Sequence, residues 1–200
     1  MNGLILAGGV TGAKSIAGIE LAGAVNTARE LNGIALAPIN VHGRVKGVQL
    51  GLVNVAEDVD GAAIGILSFA KNGRVQPVSW VALDGSVHLG IKSIAGYAFT
   101  QFGGGIDLNA ADFGYDAGIG AHLRLSQSWF FEPGVHYSSV QSTADASGPL
   151  QEHQLHYLGQ IGLRVGGKLD LLVAAGVRHT VKGGSDTRVA PELRAGIAFF

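Results

Sequence analysis

The sequence predicts an all-β protein, an antiparallel transmembrane β-barrel of about 12 strands (12–14), and three observations carry that prediction. Apolar residues alternate with polar or small ones at period two through most of the chain, which is the pattern of strands. Only 14% of the 200 residues are charged, against about 25% in an ordinary soluble domain, and 32 are glycine. A glycine-led phrase also recurs every 14 or 15 residues over the first 72.

The phrase opens at Gly3, Gly18, Gly33, Gly47 and Gly61: GLILAGGVT, GIELAGAVN, GIALAPIN, GVQLGLVN, GAAIGILS. Asn26, Asn40 and Asn54 close three copies at intervals of 14, and Ser68 takes the next such place. Repeats of this kind mean a repeated structural unit and carry no chemistry by themselves. Within a phrase, Val48, Leu50 and Leu52 alternate with Gln49 and Gly51, and Ile19 and Leu21 with Glu20 and Ala22. Polar links such as Gly43-Arg44, Glu57-Asp58 and Asn72-Gly73 separate the phrases, and Asn-Gly is a strong hairpin signal. A membrane strand of about 9–11 residues with a tight turn uses about 14 residues. Equally spaced asparagines also allow a parallel solenoid over residues 1–72, followed by a barrel of roughly eight strands. Coils of 14 are short for that fold, so antiparallel strands are preferred.

Longer alternating strands follow. Phe113, Tyr115, Ala117, Ile119, Ala121, Leu123 and Leu125 share one face, opposite Gly114, Asp116, Gly118, Gly120, His122 and Arg124. Trp129, Phe131, Pro133, Val135 and Tyr137 oppose Phe130, Glu132, Gly134, His136 and Ser138. Leu155, Tyr157, Ile161, Leu163 and Val165 oppose Gln154, His156, Gln160 and Arg164. Leu171, Val173, Ala175 and Val177 oppose Asp170, Gly176 and Arg178, and the last strand sets Val189, Leu193, Ala195, Ile197 and Phe199 against Glu192 and Arg194. No segment carries an apolar stripe at 3.6-residue spacing. The polar stretches Ser142–Gln151 and Gly183–Thr187 read as loops at hairpin tips. The whole is read as one barrel domain, 1–200, with repeat strands in 1–72 and longer strands in 73–200.

A soluble sandwich puts its apolar face inside and needs a charged exterior. A membrane barrel reverses this, with small and polar residues in the lumen. The second face here is mostly Gly, Ala, Ser and Gln with a charge or two per strand, which suits a narrow lumen. Aromatics near strand ends (Phe113, Tyr115, Trp129, Tyr137, Phe199) suit an interfacial girdle. The GxxLGxVN phrases of residues 3–72 resemble the surface-repeat proteins of Gram-negative bacteria. The alternating strands from Ser86 to Phe200, with an aromatic terminus, resemble bacterial outer-membrane β-barrels. That resemblance implies a bacterial outer-membrane location. No basic region precedes Gly3–Ala7, so a signal peptide is expected to have been removed or truncated.

In HYSS, His136 and Ser138 sit two apart and share the polar face of a strand, with Glu152 across the following loop. A serine nucleophile needs an imidazole to take its proton and an acid to orient that imidazole. The set is similar to the His-x-Ser plus Glu site of outer-membrane lipid A deacylases, which would make His136, Ser138 and Glu152 catalytic. Ser139 stands where that family usually has Asn. The competing reading is a hydrogen-bonded histidine in a polar lumen. Asp116, His122, Arg124, Glu132, His156, Arg164, Asp170, Arg178, Glu192 and Arg194 are assigned to the lumen with it. Charges of both signs there brace the wall by pairing, or line a path for solutes.

The remaining signals exclude. Net charge is −1, from 14 basic and 15 acidic residues, and no basic run invites nucleic acid. There is no cysteine, hence no disulfide and no thiolate metal site. The seven histidines show no metal-ligand spacing, Gly103–Gly105 lacks the Lys-Ser/Thr of a phosphate loop, and Asp58–Gly61 lacks the flanking carboxylates of a calcium loop. No cofactor and no metal are expected. The leading reading is a structural or passive-channel membrane protein, not an enzyme, whose partners are membrane lipid and, if the lumen is open, small solutes. The alternatives are a lipid hydrolase using His136 and Ser138, and a soluble β-repeat binding or adhesin-like module.

Overall fold

The computed structural model describes residues 1–108, 112–142, 150–181 and 187–199. Most of the two predicted hairpin-tip loops, and Phe200, lie outside the described residues. The chain divides into two compact units, Met1–Val75 with Ser93–Thr100, and Gln76–Lys92 with Gln101–Phe200.

The first unit holds β1 (Asn2–Ala7), β2 (Ala13–Ala22), β3 (Val25–Leu36), β4 (Ile39–Leu50), β5 (Val53–Val59), β6 (Ala62–Ile64) and β7 (Leu67–Ala70). They form one sheet in the order β1-β2-β3-β4-β5-β7, with β6 beside β4, and every pairing is parallel. Antiparallel pairing of these repeat strands is therefore corrected. Gly3 pairs with Gly18, Gly18 with Gly33 and Gly33 with Gly47, so the register follows the spacing of the phrases and each phrase completes one coil.

Buried amides explain the direction. An asparagine side chain has a donor and an acceptor, and a buried one must satisfy both. Stacked copies do this for each other. Asn26 Nδ2 donates to Asn40 Oδ1 at 3.1 Å, Asn40 Nδ2 to Asn54 Oδ1 at 2.9 Å, and Asn54 Nδ2 to Ser68 Oγ at 3.1 Å. Thr11 Oγ1 starts the ladder with a 2.9 Å bond to Asn26 Oδ1. The coil closes in so few residues because it turns at glycine. Gly33 and Gly47 have φ of +146° and +147°, and a Cβ at either would run into the carbonyl of the glycine one coil back.

Ile16, Leu31, Val45 and Val59, one per coil, form the buried aliphatic column of this unit. Beside it lie buried polar side chains that sequence reading left unassigned. Glu20 pairs with His42 at 3.0 Å, and Gln49 with the other His42 nitrogen at 2.6 Å. Alanines 28 and 56 flank His42 in the ladder, and Ala35 stands between Glu20 and Gln49. The small residues leave room for the large ones, as close packing requires. Ser93 Oγ donates to Ser68 O at 2.5 Å, beyond the last asparagine.

The second unit is built on a closed barrel, with residues 74–75, 93–95 and 98–100 at the ends of its first three strands counted in the first unit. Its strands are β8 (Arg74–Ala82), β9 (Ser86–Ala95), β10 (Ala98–Asp107), β11 (Phe113–Ala121), β12 (Leu123–Arg124), β13 (Trp129–Ser142), β14 (Leu150–Val165), β15 (Leu169–Val181) and β16 (Thr187–Phe199). The order is β11-β10-β9-β8-β16-β15-β14-β13-β12, and β11 also pairs with β13. That pairing closes an antiparallel barrel of eight strands, with the two-residue β12 as an appendage of β13. The expected count of about 12 is corrected to eight, because the first 72 residues coil into their own parallel sheet.

The alternation read from the sequence sorts the barrel's two faces. Phe113, Tyr115, Ile119, Trp129, Val135, Tyr157, Ile161, Leu171, Val173, Val177, Leu193 and Phe199 are exposed outside. Asp116, His122, Glu132, His136, Ser138, His156, Asp170, Glu192 and Arg194 are buried inside. An apolar cluster of Val78, Trp80, Phe130, Leu172 and Ala198 also fills part of the interior. Gly162 makes space for it, since a Cβ there would occupy the place of the Phe130 ring.

Candidate functional site in the barrel interior

A strand shows alternate residues to the lumen, and neighbouring strands bring those residues level. On β13 the inward set is Phe130, Glu132, His136 and Ser138, facing Gly162, Gln160, His156 and Gln154 of β14. On β15 and β16, Arg178 stands opposite His156 and Glu192 opposite Gly176.

Two buried networks result. In the first, Glu132 holds Lys92 of β9, accepts from His122 Nδ1 at 2.8 Å and from Gln160 Nε2 at 2.5 Å. Lys92 and Glu132 have no exposed side-chain surface. In the second, Ser138 Oγ lies 2.9 Å from His156 Nε2, His156 Nδ1 lies 2.5 Å from Glu192 Oε2, and Arg194 Nε donates to Glu192 Oε1 at 2.5 Å. Further pairs join the wall: Arg164 with Asp170 at 3.2 Å, His88 with Asp116 at 3.2 Å, and Arg178 with Asp84 in the β8–β9 turn. Partial burial pushes the Asp84 carboxyl up, but the hydroxyl and amide of Ser86 and the guanidinium of Arg178 outweigh it and hold the carboxyl down at about 2.

The second network opens on a cavity of about 70 Å³, whose walls include Ser138, His156, Gln154, His88, Arg178 and Arg194. Tyr115, Tyr137 and His153 group on the outer face at the same end of β13. The Tyr137 hydroxyl lies 2.7 Å from His153 Nδ1, and the rings of Tyr115 and Tyr137 are 6.3 Å apart.

The structure places Ser138 inside the barrel, and brings it to His156 and Glu192. His136 lies two residues back on the same face, opposite His156 in the ladder and against Gly118. Glu152 stands opposite Val140, one pleat beyond Gln154, the residue that faces Ser138. Of the lumen set, Asp116, His122, Glu132, His156, Asp170, Glu192 and Arg194 are buried, while Arg164 and Arg178 are partly covered. Arg124 is a correction: it lies in the two-residue β12 and is exposed. Lys92, the partner of Glu132, was not singled out. Its signal was the alternation of Leu89 and Ile91 with Gly90 and Lys92, which puts the lysine on the inner face. Trp80 was missed too. It is buried, stacks on His88 at 5.0 Å, and lies under the Arg194 guanidinium at 5.9 Å. Among the described residues, no group of three or more His, Asp or Glu is arranged to hold a metal ion.

Polar inside and apolar outside, the second unit belongs to the class of inside-out, closed eight-strand barrels. No family model matches the chain, and no curated protein matches it. Similar solved structures include Neisserial surface protein A, at 16% identity and TM-score 0.41 over 62% of this chain and 93% of that one. The N-terminal β-barrel domain of Pseudomonas aeruginosa OprF is similar at 10% identity and TM-score 0.42, over 64% and 100%. A de novo designed transmembrane β-barrel is similar at 20% identity and TM-score 0.38, over 62% and 91%.

Proposed function

We propose that this is an integral outer-membrane β-barrel protein of structural type, with its interior closed by paired charge. The observation that carries the reading is the inversion of the barrel. Its outer surface is a belt of exposed Phe, Tyr, Trp, Leu, Ile and Val, while Lys92, Asp116, Glu132, Asp170, Glu192 and Arg194 are buried inside. In water a contiguous apolar belt of this kind would mark a surface made for another phase or partner. In a bilayer it meets lipid, and closure leaves no unpaired strand edge in the hydrocarbon.

Aromatic positions set the height of the belt. Tyr137 and Trp129 lie eight residues apart on the outer face of β13. That spans about 26 Å of strand, or roughly 20 Å across a bilayer at the usual tilt, close to the ~25 Å of known membrane barrels. Lipid is the partner this surface fits. The Lys92–Glu132–His122 network and the cluster around Trp80 and Phe130 occupy the lumen, which favours a closed barrel over a solute channel. The coils of residues 1–72 are read as the surface-repeat part of the protein, in line with their GxxLGxVN phrases.

The test is refolding into detergent micelles, followed by electrophoresis in SDS with and without boiling. A heat-dependent shift in mobility is expected, with no steady conductance when the same sample is added to a planar bilayer. A protein that folds and stays soluble without detergent, and shows no shift, would move the assignment to a soluble binding module.

A further inference from the structure

The second interior network differs from the others in its end group. Asp116, His88 and Ser86 also run from carboxylate to imidazole to hydroxyl, but the Ser86 hydroxyl donates to Asp84 at 2.7 Å and is spent there. In the second network the chain runs from carboxylate to imidazole to hydroxyl, and the hydroxyl faces a cavity.

Proton positions follow from the partners. Glu192 Oε1 accepts from the Arg194 guanidinium, so the carboxyl is ionised and its Oε2 can only accept. His156 Nδ1 therefore carries the hydrogen that bridges the 2.5 Å to Glu192. In the neutral imidazole this leaves the Nε2 lone pair free to accept, and at 2.9 Å its partner is the Ser138 hydroxyl. A hydroxyl bonded to a neutral, oriented imidazole is the arrangement that activates serine as a nucleophile.

We propose that Ser138, His156 and Glu192 form a hydrolytic site for small carboxylic esters at the cavity of the barrel, with Ser138 as nucleophile, His156 as general base and Glu192 as the residue that positions His156. This goes beyond the structural role and does not depend on the barrel lying in lipid. It also replaces the pairing of Ser138 with His136 and Glu152.

Each step balances. Ser138 Oγ attacks the ester carbonyl carbon as its proton passes to His156 Nε2, and the carbonyl π pair moves onto oxygen. Arg178 shares the cavity wall with Ser138 and His156, so its guanidinium is the cation at hand for the oxyanion. Collapse breaks the bond to the alcohol oxygen, which leaves with the proton from His156. Water then attacks the acyl-serine with His156 again as base, releasing the acid and restoring the hydroxyl. Cavity size sets the substrate class. About 70 Å³ is under half the ~150 Å³ of a cavity that holds benzene, so the acyl group is short, of acetyl size, and not a fatty-acyl chain.

The experiment uses the full chain refolded in detergent, with its fold verified by circular dichroism and the heat-dependent shift read separately. Methanesulfonyl fluoride, whose transferred group is of acetyl size, is the probe, and the modified residue is found by peptide mass spectrometry. The expected result is a single adduct on Ser138, absent in Ser138→Ala, with p-nitrophenyl acetate turned over faster by wild type than by that variant. His156→Gln should slow labelling about 100-fold or more, the usual share of a general base. Glu192→Gln should move the midpoint of the labelling rate against pH, which a merely bracing carboxylate would not do. Folded wild-type protein with no adduct on Ser138 overturns the proposal without need of any variant. Labelling that survives His156→Gln, or that is lost in His136→Gln instead, overturns it equally. An adduct on Ser138 in protein without a heat shift supports the site while counting against the membrane reading.

Discussion

The Lys92 ammonium and the Glu132 carboxylate, forty residues apart in the chain, meet inside the barrel with no solvent exposure on either side chain. A buried pair of this kind stabilises little by forming, but is costly to break, because removing one partner leaves the other charge buried and uncompensated. Lys92→Met should therefore cost about 3–5 kcal/mol. Lys92→Met combined with Glu132→Gln should recover part of that loss. Urea unfolding of the refolded protein, followed by tryptophan fluorescence, would check both.

Asn40 is the midpoint of the ladder in the parallel coil. Its Nδ2 group reaches Asn54 Oδ1 and the carbonyls of Leu50 and Ala37, and its Oδ1 accepts from Asn26. Asn40→Ala orphans buried groups on both adjacent coils, at about 1–3 kcal/mol each. It should destabilise more than an Asn→Ala exchange at an exposed position, and Asn40→Asp should not rescue it, since a carboxylate cannot donate to Asn54. Thermal unfolding followed by circular dichroism near 218 nm would measure the difference.

Gly47 turns its coil at φ +147°, with the Gly33 carbonyl where a Cβ would stand. Gly47→Ala is expected to be severe, because both the backbone region and the space exclude a side chain. Gly8→Ala, where a Cβ would meet nothing within 4 Å and no positive φ is imposed, should change stability little. Limited proteolysis of the two variants would separate them.

His42 lies buried between Ala28 and Ala56. Burial lowers its pKa from 6.5, against an opposing pull from the Glu20 carboxylate. The folded state therefore holds His42 neutral over a range in which the unfolded chain binds a proton. Its contribution is present above about pH 6.5 and is lost as pH falls below that value toward the lowered pKa. His42→Gln should flatten this part of the stability profile. Hydrogen exchange of the Asn26, Asn40 and Asn54 amides between pH 7 and 5 would show whether the loss is confined to the coil.

The inner and outer faces of the barrel were legible because alternation depends only on the pleat. Asp116, His122, Glu132, Asp170, Glu192 and Arg194 were assigned to the interior from that pattern, and all six side chains are buried. Arg124 broke the pattern because its strand ends there. The partners of these residues were not legible. Ser138 meets a histidine 18 residues on, which meets a glutamate another 36 on, and both separations depend on strand register and hairpin length. Neither is written in the alternation, so the nearest histidine in the chain, His136, stood in for the one that bonds Ser138.

By itself, the sequence determined that the chain is made of strands, which residues of the later strands share a face, and that five glycine-led phrases repeat at 14 or 15 residues. Local sterics and side-chain polarity suffice for those. Only the tertiary structure decided that the phrases stack in parallel, that eight strands and not twelve close the barrel, and which buried ions meet. Period two is the same in a parallel and an antiparallel strand. The choice was made by buried amides that needed identical neighbours one coil away, and by glycines that let the chain turn sharply enough to bring them there.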